Sequence, residues 1–92
     1  MTATLLKKNM QFRGQAYMYN KVIQECGELI VAIGHMLEGR PNARAEVLSE
    51  MAHVKIAIAH FEHDNPELQE AVLLEERKKL DQIQRALDAN LS

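Results

Sequence analysis

Apolar residues recur along the middle of the chain with helical rather than strand spacing. Val22, Cys26, Leu29, Ile33 and Met36 follow i, i+4, i+7, i+11, i+14, and Val47, Met51, Val54, Ile58 and Phe61 repeat the same intervals. The second stripe lies 25 positions after the first. At that same offset each has a polar companion: Lys21, Glu25, Glu28, Ala32 and His35 beside the first, and Glu46, Glu50, His53, Ala57 and His60 beside the second. At 100° per residue the polar stripes lie roughly 100° around from the apolar ones. This pattern predicts two amphipathic helices meeting on their apolar stripes, with the polar stripes on the flank of the seam.

Breakers divide the chain. Gly14, the run Gly39 to Asn42 and the run His63 to Pro66 predict helices over about Gln15 to Glu38, Ala43 to Glu62 and Pro66 to Ala89, with Asn42 and Asn65 as N-caps. The segment Thr2 to Phe12 is left open. The third helix carries Leu73, Leu80, Ile83 and Leu87 on one face, with acids early and Arg77, Lys78, Lys79 and Arg85 later, as the helix dipole favours. Its expected role is packing or dimerisation. Gly27 and Gly34, inside the first long helix, each cost about 1 kcal/mol relative to alanine, which a close approach by another backbone would explain.

Composition narrows the class. With 92 residues, 47% hydrophobic, four Gly and two Pro, the expectation is one all-α domain over 1–92, an antiparallel helical bundle small enough to need a partner subunit. A formal charge of −2 without a basic block argues against duplex nucleic acid as partner. The apolar run from Leu29 to Leu37 is far shorter than the ~20 residues of a membrane span, and the first residues lack a signal-peptide core. A single cysteine, Cys26, leaves no disulfide framework. Together these predict a cytoplasmic protein with no membrane partner.

The candidate chemistry lies in QECGEL and SEMAHV. Glu25 and Glu28 are three apart, as are Glu50 and His53, so each pair shares a helix face. If the two helices run antiparallel, the four groups can converge on one divalent cation. Magnesium takes hard oxygen ligands and keeps several waters, so a few carboxylates and a substrate phosphate suffice for it. Taken singly, each pair also reads as an ordinary solvated helix face.

The stretch from Tyr17 to Phe61 resembles the MazG-like, all-α nucleoside triphosphate pyrophosphohydrolases, whose signature is Glu-Glu-x-x-Glu followed after a loop by Glu-x-x-Asp. Here Gln24, Glu25 and Glu28 stand at the first group, and Glu50 and His53 at the second. The charged segment from Glu75 to Leu87 is similar to that family's C-terminal helix.

The resemblance implies a bundle assembling as dimer or tetramer, with Mg²⁺ held by Glu25, Glu28, Glu50 and His53. The implied activity is hydrolysis of an NTP or dNTP to the monophosphate and pyrophosphate, as in a pool-controlling enzyme of a bacterium or phage. Glu25 and Glu28 would be catalytic, and Lys21, on their face, would stabilise the leaving pyrophosphate; Lys55 and Arg40 have only sequence proximity in their favour.

Two departures matter. Gln24 replaces a Glu and His53 an Asp, and imidazole suits Mn²⁺ better than Mg²⁺. The metal is therefore expected to be Mg²⁺ or Mn²⁺, and the alternative is a catalytically degenerate relative that binds a nucleotide or a protein partner without hydrolysis. His53 reads either as a ligand or as a hydrogen-bonding histidine. Glu46 reads as compensating ligand or surface acid, His60 and His63 as second metal pair or helix-end histidines, and Tyr17 and Tyr19 as packing residues or a base-stacking platform.

Overall fold

The computed structural model describes residues 2–91, and these are helical apart from short joints. Helix α1 is Ala3–Arg13, α2 Gln15–Leu37, α3 Ala43–Asp64 and α4 Glu67–Leu91. The segment left open by the sequence is thus a helix, started by Thr2, whose Oγ1 accepts from the Leu5 N–H at 3.2 Å. No helix among the described residues is long and apolar enough to cross a membrane.

Each joint has a local cause. Gly14 separates α1 from α2 at φ 90°, ψ 154°, a region essentially reserved for glycine. After α2 the chain makes a Schellman turn. Gly39, at φ 73°, donates its N–H to Met36 O, and the Arg40 N–H reaches His35 O.

Asn42 is the N-cap residue of α3, its C=O accepting from the Glu46 N–H at 3.1 Å, but neither asparagine expected as a cap makes a side-chain cap bond. Asn42 enters α3 in the left-handed region, φ 64°, without a side-chain cap bond. Asn65 donates its amide hydrogens to Tyr19 Oη at 2.9 Å and to Phe61 O at 3.0 Å, which ties the end of α3 to α2 instead of starting α4.

Helices α2 and α3 form an antiparallel hairpin, since Gln15 meets Asp64, Tyr19 meets Phe61, Glu25 meets His53 and His35 meets Glu46. Helix α1 folds back across both, burying Leu6.

The seam of this hairpin is not the predicted one. Its buried side chains are Met18, Glu25 and Ala32 on α2 and Ala43, Val47, Ala57 and His60 on α3, so it draws largely on the polar stripes. Ile33, Met36, Met51 and Ile58, read as core, remain 38%, 45%, 46% and 41% exposed. The physical reason lies in Ala32 and Ala57: small side chains let two helix surfaces approach closely, and the larger apolar residues are left on the flank.

Helix α4 buries none of its side chains. The radius of gyration, 16.8 Å, exceeds the roughly 12 Å of a compact chain of this length because α4 extends from the bundle. Among the described residues nothing approaches Gly27 or Gly34, where an added Cβ would meet no atom within 4 Å. The expected close backbone contact is therefore not made by these helices.

Candidate metal centre

The antiparallel hairpin brings the two helical pairs face to face. One ligand atom from each of Glu25, Glu28, Glu50 and His53 lies within 4.8 Å of the other three. A cation with bonds of about 2.1 Å sets opposite ligands about 4.2 Å apart. A small side-chain adjustment therefore gives the four atoms a common centre.

Their environments differ. Glu25 is buried, Glu50 half-buried, and Glu28 and His53 exposed. Glu25 Oε1 has Lys21 Nζ at 3.3 Å, one turn earlier on α2. Glu28 Oε1 accepts from Gln24 Nε2 at 3.0 Å, and that amide is the main reason its carboxyl is held below the usual range. The Glu50 carboxyl is pushed up, first by burial and then by the negative charge of Glu28.

Two oxygens lack hydrogen bonds. Glu25 Oε2 and Glu50 Oε2 are buried without a hydrogen-bond partner, although His53 Nδ1 lies 3.3 Å from one and 3.5 Å from the other at angles that make no bond. Buried carboxylate oxygens without a partner are costly. A cation between them would remove that cost, and three carboxylates with one imidazole suit Mn²⁺ or a partly hydrated Mg²⁺.

A cleft opens on each side of the cluster. One, about 220 Å³, runs from Glu25 and His53 past Lys21 and Tyr17 to Arg13 and Asn9. The other, about 570 Å³ and wide open, is lined by Gln24, Glu28, Glu46, Glu50 and Val31. The first carries the cations and the second the acids, so an anionic group is drawn to the first. Arg13 lies 5.4 Å from the centre of the Tyr17 ring and Lys21 6.0 Å, giving a wall of cation, aromatic and cation.

Other sequence candidates are placed elsewhere. Glu46 bonds His35 Nδ1 at 2.9 Å, and Arg40 pairs with Glu38. Lys55 is exposed and lines neither cleft. Tyr19 packs on Phe61, ring centres 4.9 Å apart, and donates to Asp64 Oδ2 at 2.7 Å, so it is a packing residue and Tyr17 alone faces the cleft. His60 is buried with both ring nitrogens engaged, by Ile56 O and by Asn9, and takes no part in a metal pair with His63.

Sequence reasoning missed Asn9 and Arg13. Asn9 lies in the segment Thr2 to Phe12, whose structure it left open, and Arg13 directly follows that segment, though Arg13, Tyr17, Lys21 and Glu25 at four-residue intervals were a usable signal. Comparison with protein-family models, with curated proteins and with solved structures gives no match to this chain.

Proposed function

We propose that the chain is a divalent-metal-dependent nucleotide pyrophosphohydrolase, converting an NTP or dNTP to the monophosphate and pyrophosphate. The observation that carries the metal part is the pair of buried oxygens without hydrogen-bond partners, Glu25 Oε2 and Glu50 Oε2, inside a cluster of three carboxylates and an imidazole. The substrate part rests on the cationic cleft beside that cluster and on the resemblance of the signature to MazG-like enzymes.

Glu25, Glu28, Glu50 and His53 hold the metal in this reading, and the metal supplies charge neutralisation on phosphate and a hydroxide at neutral pH. Lys21 and Arg13 bind phosphate oxygens and stabilise the charge that develops on the leaving pyrophosphate. Gln24 holds Glu28 ionised and oriented for its role as ligand. The setting is the cytoplasm, where Cys26 stays a thiol.

The functional unit is a homo-oligomer, a dimer or a tetramer. A compact monomer of 10.5 kDa exposes roughly 5,400 Å², whereas this chain exposes 7252 Å². The surplus of about 1,800 Å² per subunit is in the range that obligate homodimers bury. Ile23, Ile30 and Leu37 on α2 and Leu80 on α4 supply the apolar surface for it.

A second reading has its own observation. His53 Nδ1, 3.3 and 3.5 Å from the two carboxylate oxygens, can stand in for a cation when protonated, as in a degenerate relative that binds nucleotide without hydrolysis. Pyrophosphate release from a panel of NTPs and dNTPs with Mg²⁺ or Mn²⁺, for wild type, His53→Asp and His53→Asp with Gln24→Glu, separates the two. Release by wild type supports the enzyme. Silence in wild type with gain in the double variant supports the degenerate relative, and absence of any metal effect on stability or activity in all three overturns both.

A further inference from the structure

The back of α2 carries a pattern that the hairpin does not use. Ile23, Gly27, Ile30, Gly34 and Leu37 follow i, i+4, i+7, i+11, i+14, and at 100° per residue this stripe lies roughly 160° around from the buried Met18, Glu25 and Ala32. It faces away from α3. Its three large residues are 72%, 72% and 82% exposed, in chain order, so the stripe is an unpartnered apolar face.

The two glycines have no cause within the described residues. Both sit inside α2, the glycines at positive φ are Gly14 and Gly39, and an added Cβ at either position would meet no atom within 4 Å. Alanine would make the better helix at both. The gaps they leave lie between exposed isoleucines, and a gap of that kind fits a side chain from outside.

Alternating steps of four and three are the spacing of a helix–helix seam, here with glycine in one layer and Ile or Leu in the next. A parallel pair would set glycine on glycine and isoleucine on isoleucine, so the large layers would hold the helices apart and leave voids at the small ones. An antiparallel pair sets one of each in every layer. With a twofold axis midway between Gly27 and Ile30, Ile23 meets Gly34 of the second copy and Gly27 meets its Ile30, and the same contacts recur in reverse, as an isologous interface requires. A shift of seven residues either way leaves one isoleucine without a glycine. Seams of this period cross at about 20°, so contact continues along both helices from Asn20 to Leu37.

We propose that α2 pairs antiparallel with α2 of a second copy, the Ile23 and Ile30 side chains of each filling the gaps at Gly34 and Gly27 of the other. The stripe and its flanks, Gln24 and Val31 on one side and Cys26 and Ile33 on the other, carry no charge, so two identical faces meet without repulsion. The pair takes part of the surplus surface described above, and α4 takes the rest. Gly27 also lines the open acidic cleft beside Glu28 and Glu50, so the second copy borders the metal cluster. This inference rests on the homo-oligomer reading and names the surface that makes it.

The test is light scattering on the full chain at micromolar concentration. Wild type is expected to be at least a dimer, and Gly27→Leu and Gly34→Leu are each expected to weaken association about a hundredfold, because the overpacked layer occurs twice in a twofold pair. Helix content by circular dichroism should not fall, since leucine favours a free helix. Where a leucine variant is not helical, Gly27→Ala takes its place, with about a tenfold loss. The decisive variant exchanges the two sizes: Gly27→Ile with Ile30→Gly keeps one glycine facing one isoleucine in this register and should restore association to within about threefold of wild type.

A monomeric wild type would overturn the homo-oligomer reading and this inference with it. An oligomer unchanged by the glycine variants overturns the inference alone, and dissociation by them without rescue by the exchange overturns the antiparallel register.

Discussion

Helices α3 and α4 are of similar length, 22 and 25 residues, and both carry an apolar stripe at helical spacing, yet one is half of a packed hairpin and the other buries nothing. The difference is the neighbour rather than the pattern. Helix α3 is tied to α2 by Tyr19 on Phe61, by Asn65 on Tyr19 and by the small residues Ala32 and Ala57 at the seam. Helix α4 has Leu73, Leu80, Ile83 and Leu87 between 46% and 64% exposed. An amphipathic stripe states that a face is to be covered; it does not say by what.

The largest expected effect comes from α4. Leu80→Glu with Ile83→Glu should convert an oligomer to monomers at micromolar concentration by light scattering, because charges in an apolar interface are left unpaired. The same variant should keep the thermal stabilisation by Mn²⁺. An unchanged oligomer would show that α4 is not the covering surface.

The next concerns the hairpin's buried carboxylates. Mn²⁺ is expected to raise the melting temperature by binding the folded state, and Glu25→Gln is expected to abolish that rise. Glu50→Gln should do the same and also stabilise the metal-free protein at neutral pH. The sign follows from linkage. Burial and the Glu28 charge raise the folded pKa of Glu50 above that of an ordinary glutamate, so the folded state holds more protons than the unfolded, and stability from this group falls as pH rises from the ordinary value through the folded one. Glutamine removes the cost. Glu28, whose carboxyl is held low by the Gln24 amide, has the opposite slope: its contribution is fully present above the ordinary glutamate pKa and is lost as pH falls through its lowered folded pKa. Should Glu50→Gln destabilise the metal-free protein, the crowding of the carboxylates is not what strains the site.

A smaller effect is expected at the joint between α1 and α2. Gly14→Ala places a side chain at φ 90°, ψ 154°, at a cost of about 1–3 kcal/mol in chemical denaturation, though nothing within 4 Å would clash with the new Cβ. Backbone strain alone is then responsible, and loss of the Asn9–His60 contact should accompany it. The smallest effect belongs to Thr2→Ala, which removes the N-cap of α1 and should cost about 0.5–1 kcal/mol. A neutral result would mean that α1 is held by Leu6 and Asn9 rather than by its own cap.

Much of the architecture follows from local pattern. The helix boundaries near Gln15, Ala43 and Asp64 follow from Gly14, from the Gly39 to Asn42 turn and from Asn65 with Pro66, because breakers and turn residues act through their own backbone. The candidate metal cluster was legible too: spacing of three puts each pair on one face, and a five-residue loop leaves antiparallel packing as the short connection.

Tertiary structure alone decided which stripe forms the seam. Periodicity ranks helix faces by hydrophobicity, but close approach depends on side-chain size on both helices at once, and Ala32 and Ala57 favoured the polar side. Tertiary structure also brought Asn9, 51 positions away, to His60, and fixed an imidazole tautomer through Ile56 O. Hydrogen bonds between residues so distant in sequence leave no periodic trace, since they depend on how α1 lies across the hairpin and not on the residues beside them.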